Sequence, residues 1–278
     1  MKRMLKLQTA VSMSALLIAS LLPISAAPPR NTNALNTVGQ RIGMLEEGKK
    51  VIGSDLKDNK NQALGKLDDL VVDLESGRIL YGIASVSGSS DHFAIAPTAL
   101  LPSHTGKGNV VNVDKAKLTA APKVDANREN QLGDSAFVGQ VFQYYGVPTW
   151  FESQNAGSFN NVHKVSTLSG QTVKNVSNAD IGKVDDVVVD LRAGRVPFVV
   201  LTTTANASYA IPPNAFTLGA DKKTLTTGLD QNALASAPRY TNGNVQMLAN
   251  RATASAIYSH YGKQAYFNEA GALSPTGR

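Results

Sequence analysis

Residues 67–74 have the pattern of a β-strand, in which Leu70, Val72 and Leu74 share one face while Asp69, Val71 and Asp73 share the other. The first of these faces is entirely apolar. The next residues form a predicted turn, in which Gly77 supplies the positive φ that a tight reversal needs. A second apolar stretch over residues 79–86 follows, so the sequence predicts a β-hairpin.

The whole hairpin pattern occurs twice. Residues Gly65–Arg78 return as Gly182–Arg195, with ten of the 14 positions identical and leucine exchanged for valine at two more. The correspondence continues to aromatic residues near 142–151 in the first copy and 258–267 in the second. A repeat of this length is a domain rather than a solenoid unit. We therefore expect each copy to fold around its own core.

Each copy continues with further strands. The sequence predicts short strands over residues 92–95 and 208–211, and β-branched residues predict a longer strand over residues 196–204. Pro197 lies near the start of that longer strand and favours an edge position or an irregular start.

Each copy ends in a predicted helix. Apolar residues recur at helical spacing over residues 135–145 and again over residues 250–261. Gly146 and Gly262 follow, in the position of a helix C-terminal glycine. These helices are expected to pack against the strands or between the two copies.

The first thirty residues have the features of a secretory signal. A basic start with Lys2, Arg3 and Lys6 precedes a mostly apolar, uncharged run over residues 10–22, and cleavage is predicted after Ala26. The alternative is a membrane anchor that is never removed, but the apolar run is shorter than the ~20 residues that span a bilayer. The sequence therefore predicts an exported protein, periplasmic or secreted, with no membrane span after cleavage.

Composition narrows the classes of function. The chain has no cysteine, which excludes disulfides and thiolate zinc sites. The formal charge of +6 falls to about +3 without the basic residues of the signal, and the excess is spread along the chain. The chain lacks the arginine–aromatic cluster typical of nucleic-acid binding. We therefore expect another protein or an envelope polymer as partner, and no nucleic acid.

The repeated segment carries a recognisable combination of motifs. It opens with Gly-Lys-x-Asp-Asp, continues with Val-Val-Asp and a Gly-Arg turn, and ends in a strand leading to aromatic-Ala-Ile and proline. This combination resembles the PRC-barrel family over residues 51–101 and 165–218. The resemblance implies a mainly β fold with some α (α+β), with two small PRC-barrel-like β-barrels, each followed by a C-terminal helix. It also implies a docking or regulatory module without catalysis of its own.

These features divide the chain into six predicted segments. They are a signal peptide (1–26), a leader or linker (27–47), a first PRC-barrel-like repeat with its helix (48–152), a linker (153–162), a second such repeat with its helix (163–269) and a tail (270–278).

The repeated charged residues are the first candidates for chemistry. They are Asp68, Asp69, Asp73, Arg78, Asp185, Asp186, Asp190 and Arg195. The carboxylates could hold Ca²⁺ or act as an acid–base pair. Asp69 and Asp73, however, would lie about 13 Å apart on one strand, too far to share an ion. A structural role is favoured, in which Asp68 and Asp185 bind backbone amides at the start of a strand, and Asp73 and Asp190 cap the turn or pair with the arginines.

No other residues form a catalytic or metal-binding pattern. The four histidines do not recur at equivalent positions, and none has a partner at ligand spacing. No Gly-x-Ser-x-Gly motif or phosphate-binding glycine loop is present. The sequence therefore predicts no enzyme activity, no cofactor and no metal.

Aromatic residues after each helix are the candidate binding residues. They are Tyr145, Trp150, Phe151, Tyr261, Tyr266 and Phe267. Exposed, they would form a surface for a partner or a glycan. The alternative is that they close a core or seat the helix on the barrel.

Together these features predict an exported, non-catalytic binding or scaffolding protein that docks to a protein or envelope partner. The alternative is a periplasmic sensor or stress-related protein that binds a small ligand in the cleft between the two barrels.

Overall fold

The computed structural model describes residues 40–102, 108–125, 131–151, 157–219, 221, 224–241 and 243–268. The predicted signal peptide and the predicted tail lie outside these residues. Among the described residues, no helix has the length and apolar character needed to cross a membrane.

The described residues of the first repeat form eight strands and three helices. In chain order they are β1 (Glu46–Glu47), α1 (Gly48–Val51), β2 (Ser54–Lys57), β3 (Ala63–Asp73), β4 (Arg78–Val86), β5 (His92–Ile95), β6 (Leu100–Pro102), β7 (Asn109–Val111), α2 (Lys115–Thr119), β8 (Lys123–Val124) and α3 (Ser135–Tyr144). The 3₁₀ turn Pro97–Ala99 precedes β6.

The second repeat has nearly the same order of elements. They are β9 (Val162–Lys164), α4 (Val165–Leu168), β10 (Thr172–Asn175), β11 (Asp180–Asp190), β12 (Arg195–Thr202), β13 (Ser208–Ile211), β14 (Phe216–Leu218), β15 (Leu225–Thr227), α5 (Gln231–Ala235), α6 (Val245–Leu248) and α7 (Arg251–His260). Two 3₁₀ turns, Pro213–Ala215 and Tyr266–Asn268, complete it. A lone bridge between Tyr209 and Arg239 replaces β8.

The predicted hairpins and helices are confirmed. β3 pairs with β4 and β11 with β12, and the turn residues Gly77 and Gly194 have φ of 63° and 62°. Gly146 and Gly262 follow the two long helices with φ of 69° and 62°. Pro197 lies opposite a register shift in β11, so the strand that carries it does start irregularly.

The strands of both repeats form one hydrogen-bonded sheet of 15 strands. The two hairpins meet where Arg78 of β4 pairs with Arg195 of β12. Ile79 N–H donates to Gly194 O at 3.0 Å, and Val196 N–H donates to Gly77 O at 2.9 Å. These reciprocal bonds relate the repeats by an approximate two-fold axis. The fold is therefore strand-rich with few helices around a curled, half-barrel-like sheet, and two separate closed barrels remain a prediction.

The first strand of each repeat pairs with a strand of the other repeat. β9 pairs with β3, with His163 opposite Val72 and Lys164 opposite Val71. β1 pairs with β11, with Glu46 opposite Val189 and Glu47 opposite Val188. We call the contact between residues 158–168 and β3 the first seam. The contact between residues 40–51 and β11 is the second seam.

The apolar core also crosses the boundary between the repeats. The larger cluster joins Leu70, Val72 and Leu74 of the first repeat to Phe198 and Val199 of the second, all fully buried. A smaller cluster, which includes Val71, Tyr81 and Phe142, belongs to the first repeat. The expectation of a separate core in each copy is therefore wrong. The two faces of β3 do divide as the alternation predicts, since neighbouring residues enter different clusters.

Candidate functional site

Two repeated carboxylates hold the seams together. The register of each hairpin shifts by one residue at Asp68 and at Asp185, so a β-bulge precedes Asp69 and Asp186. Asp69 Oδ1 accepts from Ser166 N at 3.1 Å, and Ser166 Oγ donates to Asp69 Oδ2. Asp186 Oδ1 accepts from Lys49 N at 3.1 Å.

These carboxylates act as helix caps supplied by the other repeat. Ser166 lies in the first turn of α4, and Lys49 lies in the first turn of α1. The backbone N–H groups in the first turn of a helix have no partner within the helix. The residues that precede these helices, Lys164 and Glu47, provide no side-chain cap. Asp69 and Asp186 therefore satisfy groups that the local sequence leaves open. The sequence did not reveal this role, because the residues involved lie far apart along the chain.

The predicted turn caps are present. Asp73 Oδ2 accepts from Ser76 N at 2.9 Å, and Asp190 Oδ1 accepts from Ala193 N at 3.0 Å. Asp190 Oδ2 also accepts from Met44 N at 3.1 Å, so it belongs to the second seam as well.

The bulge residues have partners other than those predicted. Asp68 accepts from Ser85 Oγ at 2.8 Å, and His92 Nε2 lies 3.4 Å from its other oxygen. Asp185 forms an ion pair with Lys49 at 2.8 Å. For Asp68, the expected bond to a backbone amide at the start of the strand is thus replaced by side-chain contacts.

The two repeated arginines make the same aromatic contact in each repeat. The Arg78 guanidinium lies 4.5 Å from the centroid of the Trp150 ring, and that of Arg195 lies 4.9 Å from the Tyr266 ring. Both arginines are buried, with 7% and 5% of their surface exposed. A cation over an aromatic face is attracted to the partial negative charge of that face. This contact offsets the repulsion between two cross-strand arginines.

The remaining candidate aromatics pack inward. Tyr261 and Phe267 are buried, and the Tyr145 hydroxyl donates to Ala94 O at 3.1 Å. Phe151 packs edge to face on Phe142, with 6.2 Å between the ring centroids. These contacts fit the alternative in which the aromatics seat the helix on the sheet. Their role as a binding surface stays a prediction.

The two seams differ in their titratable groups. His163 and Glu46 occupy equivalent positions opposite Val72 and Val189. His163 is buried and its Nε2 lies 3.0 Å from Asn161 Oδ1, and burial lowers its pKa to about 4. Burial, with Asp190 nearby, instead raises the pKa of Glu46.

Two further carboxylates of the second seam share this trend. Burial raises the pKa of Asp186, and burial also raises the pKa of Asp190. In the described part of the chain, no group of three or more histidine, aspartate or glutamate residues is arranged to hold a metal ion.

Two cavities accompany the seams. A cleft of about 900 Å³ runs along β9 and brings Leu132 and Gly133 of the first repeat together with Phe159, His163 and Lys164. Its lining mixes apolar and polar groups. A shallower groove of about 470 Å³ lies beside the second seam, lined by lysine, aspartate and threonine side chains from Lys49, Lys183, Asp185 and Thr202–Thr204.

The fold and these contacts define a duplicated, strand-rich protein whose two units exchange their first strands. The family model of the PRC-barrel domain matches residues 160–231. This match runs from β9 into α5 and so covers most of the second repeat. The first repeat lies outside the matched residues, so its likeness to this family stays a prediction from the internal repeat. No curated protein matches the chain.

Proposed function

We propose that this protein is an exported, non-catalytic binding or scaffolding protein that presents two PRC-barrel-like units to a protein or envelope partner. One observation carries the proposal: the carboxylates most suited to catalysis cap helices and turns. Asp69, Asp186 and Asp190 accept hydrogen bonds from backbone N–H groups, three of which come from the exchanged segments. Such bonds occupy the lone pairs that a general base or a metal ligand would need.

The exchange of strands suits a scaffold. Because each repeat holds a strand and a short helix of the other, the relative orientation of the units is fixed. Two equivalent surfaces held in a fixed relation can engage a repetitive partner or two sites on one partner. Binding at the second site is then intramolecular, which raises the overall affinity without new contacts.

The test begins with co-sedimentation of the tagged mature protein with the envelope fraction of its own cells. Protease treatment of that fraction should abolish binding if the partner is a protein, and polysaccharide-degrading enzymes should do so if it is a polymer. A partner identified in this way is then purified and titrated against the mature protein. Equal binding of an unrelated exported protein of the same charge would contradict the proposal.

The cleft of about 900 Å³ favours a second candidate, a small-ligand sensor. Its volume is within the range of ligand sites in proteins. A Thr167→Trp variant would fill the cleft from its rim, because Thr167 is exposed there. A ligand that raises the melting temperature of the wild type but not of this variant would support the sensor.

A further inference from the structure

The two seams have the same backbone pattern but carry different titratable residues at equivalent positions. In the first seam, β9 carries His163 against β3. In the second seam, β1 carries Glu46 against β11. We propose that the first seam is an acid-sensitive latch: protonation of His163 releases β9 and α4 from β3, while the second seam stays closed.

His163 lies where a positive charge is poorly tolerated. Its residue surface is 7% exposed, and its ring is held by Asn161 rather than by a carboxylate. The acids on the elements around it have other partners. Asp69 of β3 binds Ser166, Asp73 of β3 caps its turn, and Asp134 caps α3 through Phe137 N. Lys164, the next residue on β9, adds a positive charge.

The cleft gives protons a route to this histidine. His163 lines the cleft together with Ser158 and Gln171, so the ring lies between the packed seam and an open, partly polar space. On the second seam, by contrast, α6 packs against the exchanged segment. The Gln246 amide of that helix donates to Leu45 O at 3.4 Å.

The sign of the effect differs between the seams. The pKa of His163 is lowered from its ordinary 6.5 to about 4, so the first seam has its full stability above pH 6.5 and loses it towards pH 4. The pKa of Glu46, of Asp186 and of Asp190 is raised, so protonation of these groups favours the closed second seam. The charged neighbours there are Glu47, Lys49, Lys50, Asp185 and Arg192.

Release of β9 and α4 would be confined to the first seam and would expose particular side chains and backbone groups there. The seam is held by Ser166 on Asp69, by Leu74 N–H donating to Asn161 O at 2.9 Å, and by Phe159 N–H donating to Gly133 O at 2.9 Å. The buried side chains of Val165 and Leu168 would become accessible. The same release would free the β3 edge that β9 covers, and unpaired strand edges pair readily with other chains.

The single tryptophan of the chain reports on this seam. Trp150 lies 5.4 Å from Phe159, measured between ring centroids. Acrylamide quenching of its fluorescence in the full mature protein should rise as the pH falls from 7 to about 5. At pH 5.5 the equilibrium constant for opening should be about tenfold larger than at high pH, because the pKa of His163 is about 4 in the closed seam and its ordinary 6.5 in the open one.

The His163→Gln variant should remove this pH dependence, because glutamine can bind Asn161 but does not protonate. His92→Gln is the matched control, since His92 lies in the first repeat, with which β9 pairs, but is partly exposed, and it should keep the wild-type transition. A wild type with no change in quenching, or a His163→Gln variant with the wild-type transition, would overturn the proposal.

Hydrogen exchange of the wild type gives a test that does not depend on how the variant folds. After correction for the intrinsic effect of pH, residues 158–168 should lose protection between pH 7 and about 5, while residues 42–51 keep theirs. Equal loss in both segments, or in neither, would contradict the latch.

Discussion

At the scale of single residues, the same side chain works in two different surroundings. Asp69 and Asp186 follow equivalent bulges and cap equivalent helices from the opposite repeat. The neighbours across the seam have diverged, with His163 facing one strand and Glu46 the other. Duplication has thus preserved the caps, while the pH response of each seam depends on the residue beside them.

Asp69→Ala should destabilise the protein, because Ser166 N–H would lose its acceptor at the seam. Removal of one partner of a buried hydrogen bond costs about 1–3 kcal/mol in the free energy of unfolding. Denaturant titration of the variant measures this loss. Asp68→Ala is the matched control: Asp68 accepts from Ser85 Oγ and is partly exposed, and its loss should cost less than that of Asp69. Equal losses in the two variants would show that the cap is not what stabilises the seam.

Glu46→Gln should stabilise the protein at neutral pH. Because burial raises the pKa of Glu46, the charged form is disfavoured in the folded state above that pKa. The gain should be present at pH 7 and should vanish below about pH 4, where the carboxyl group is protonated in both the folded and the unfolded state. Urea midpoints across this range measure it, with Glu75→Gln, at an exposed glutamate, as control. A gain independent of pH would point to another cause.

At the scale of elements, the sequence pattern predicted those strands and helices that depend on interactions between neighbouring residues. The alternation in residues 67–74 and the helical spacing before Gly146 give the correct hairpin and helix, because neighbouring residues determine both. The exchanged strands β1 and β9 have two and three residues, too few for a periodic signal. Their pairing depends on partner strands far away along the chain, with His163 opposite Val72 and Glu46 opposite Val189, so the seams and the shared core could not be predicted.

Gly48→Ala should weaken the second seam. A Cβ atom at this position would lie 2.7 Å from Val187 O and 2.8 Å from Val165 Cγ1, so α1 would have to move away from β11. Crowding of this kind costs about 1–3 kcal/mol. Hydrogen exchange should show the loss of protection in residues 42–51. Gly228→Ala, where an added Cβ atom meets nothing within 4 Å, should leave both stability and exchange unchanged.

At the scale of the whole molecule, the two repeats form one continuous structure. Each repeat completes the sheet of the other, and the larger apolar cluster contains side chains from both. The candidate aromatics belong to this arrangement, since Trp150 and Tyr266 cover the arginines that meet at the two-fold axis. The sequence showed these residues as a repeated set, but their inward packing depends on the joined repeats.

Cleavage of the chain between the repeats should therefore not separate them. A protease site placed within residues 152–156 would leave β1 on the first fragment and β9 on the second, each still paired across the boundary. The cut protein should elute from a sizing column as one particle of unchanged size. Its melting temperature should now rise with protein concentration, because unfolding has become a dissociation, while that of the intact protein stays constant. A cut within residues 103–107 is the control that divides the first repeat itself. Elution of two separate fragments at micromolar concentration, without denaturant, would show that the exchanged strands and shared core are too weak to make the repeats one unit.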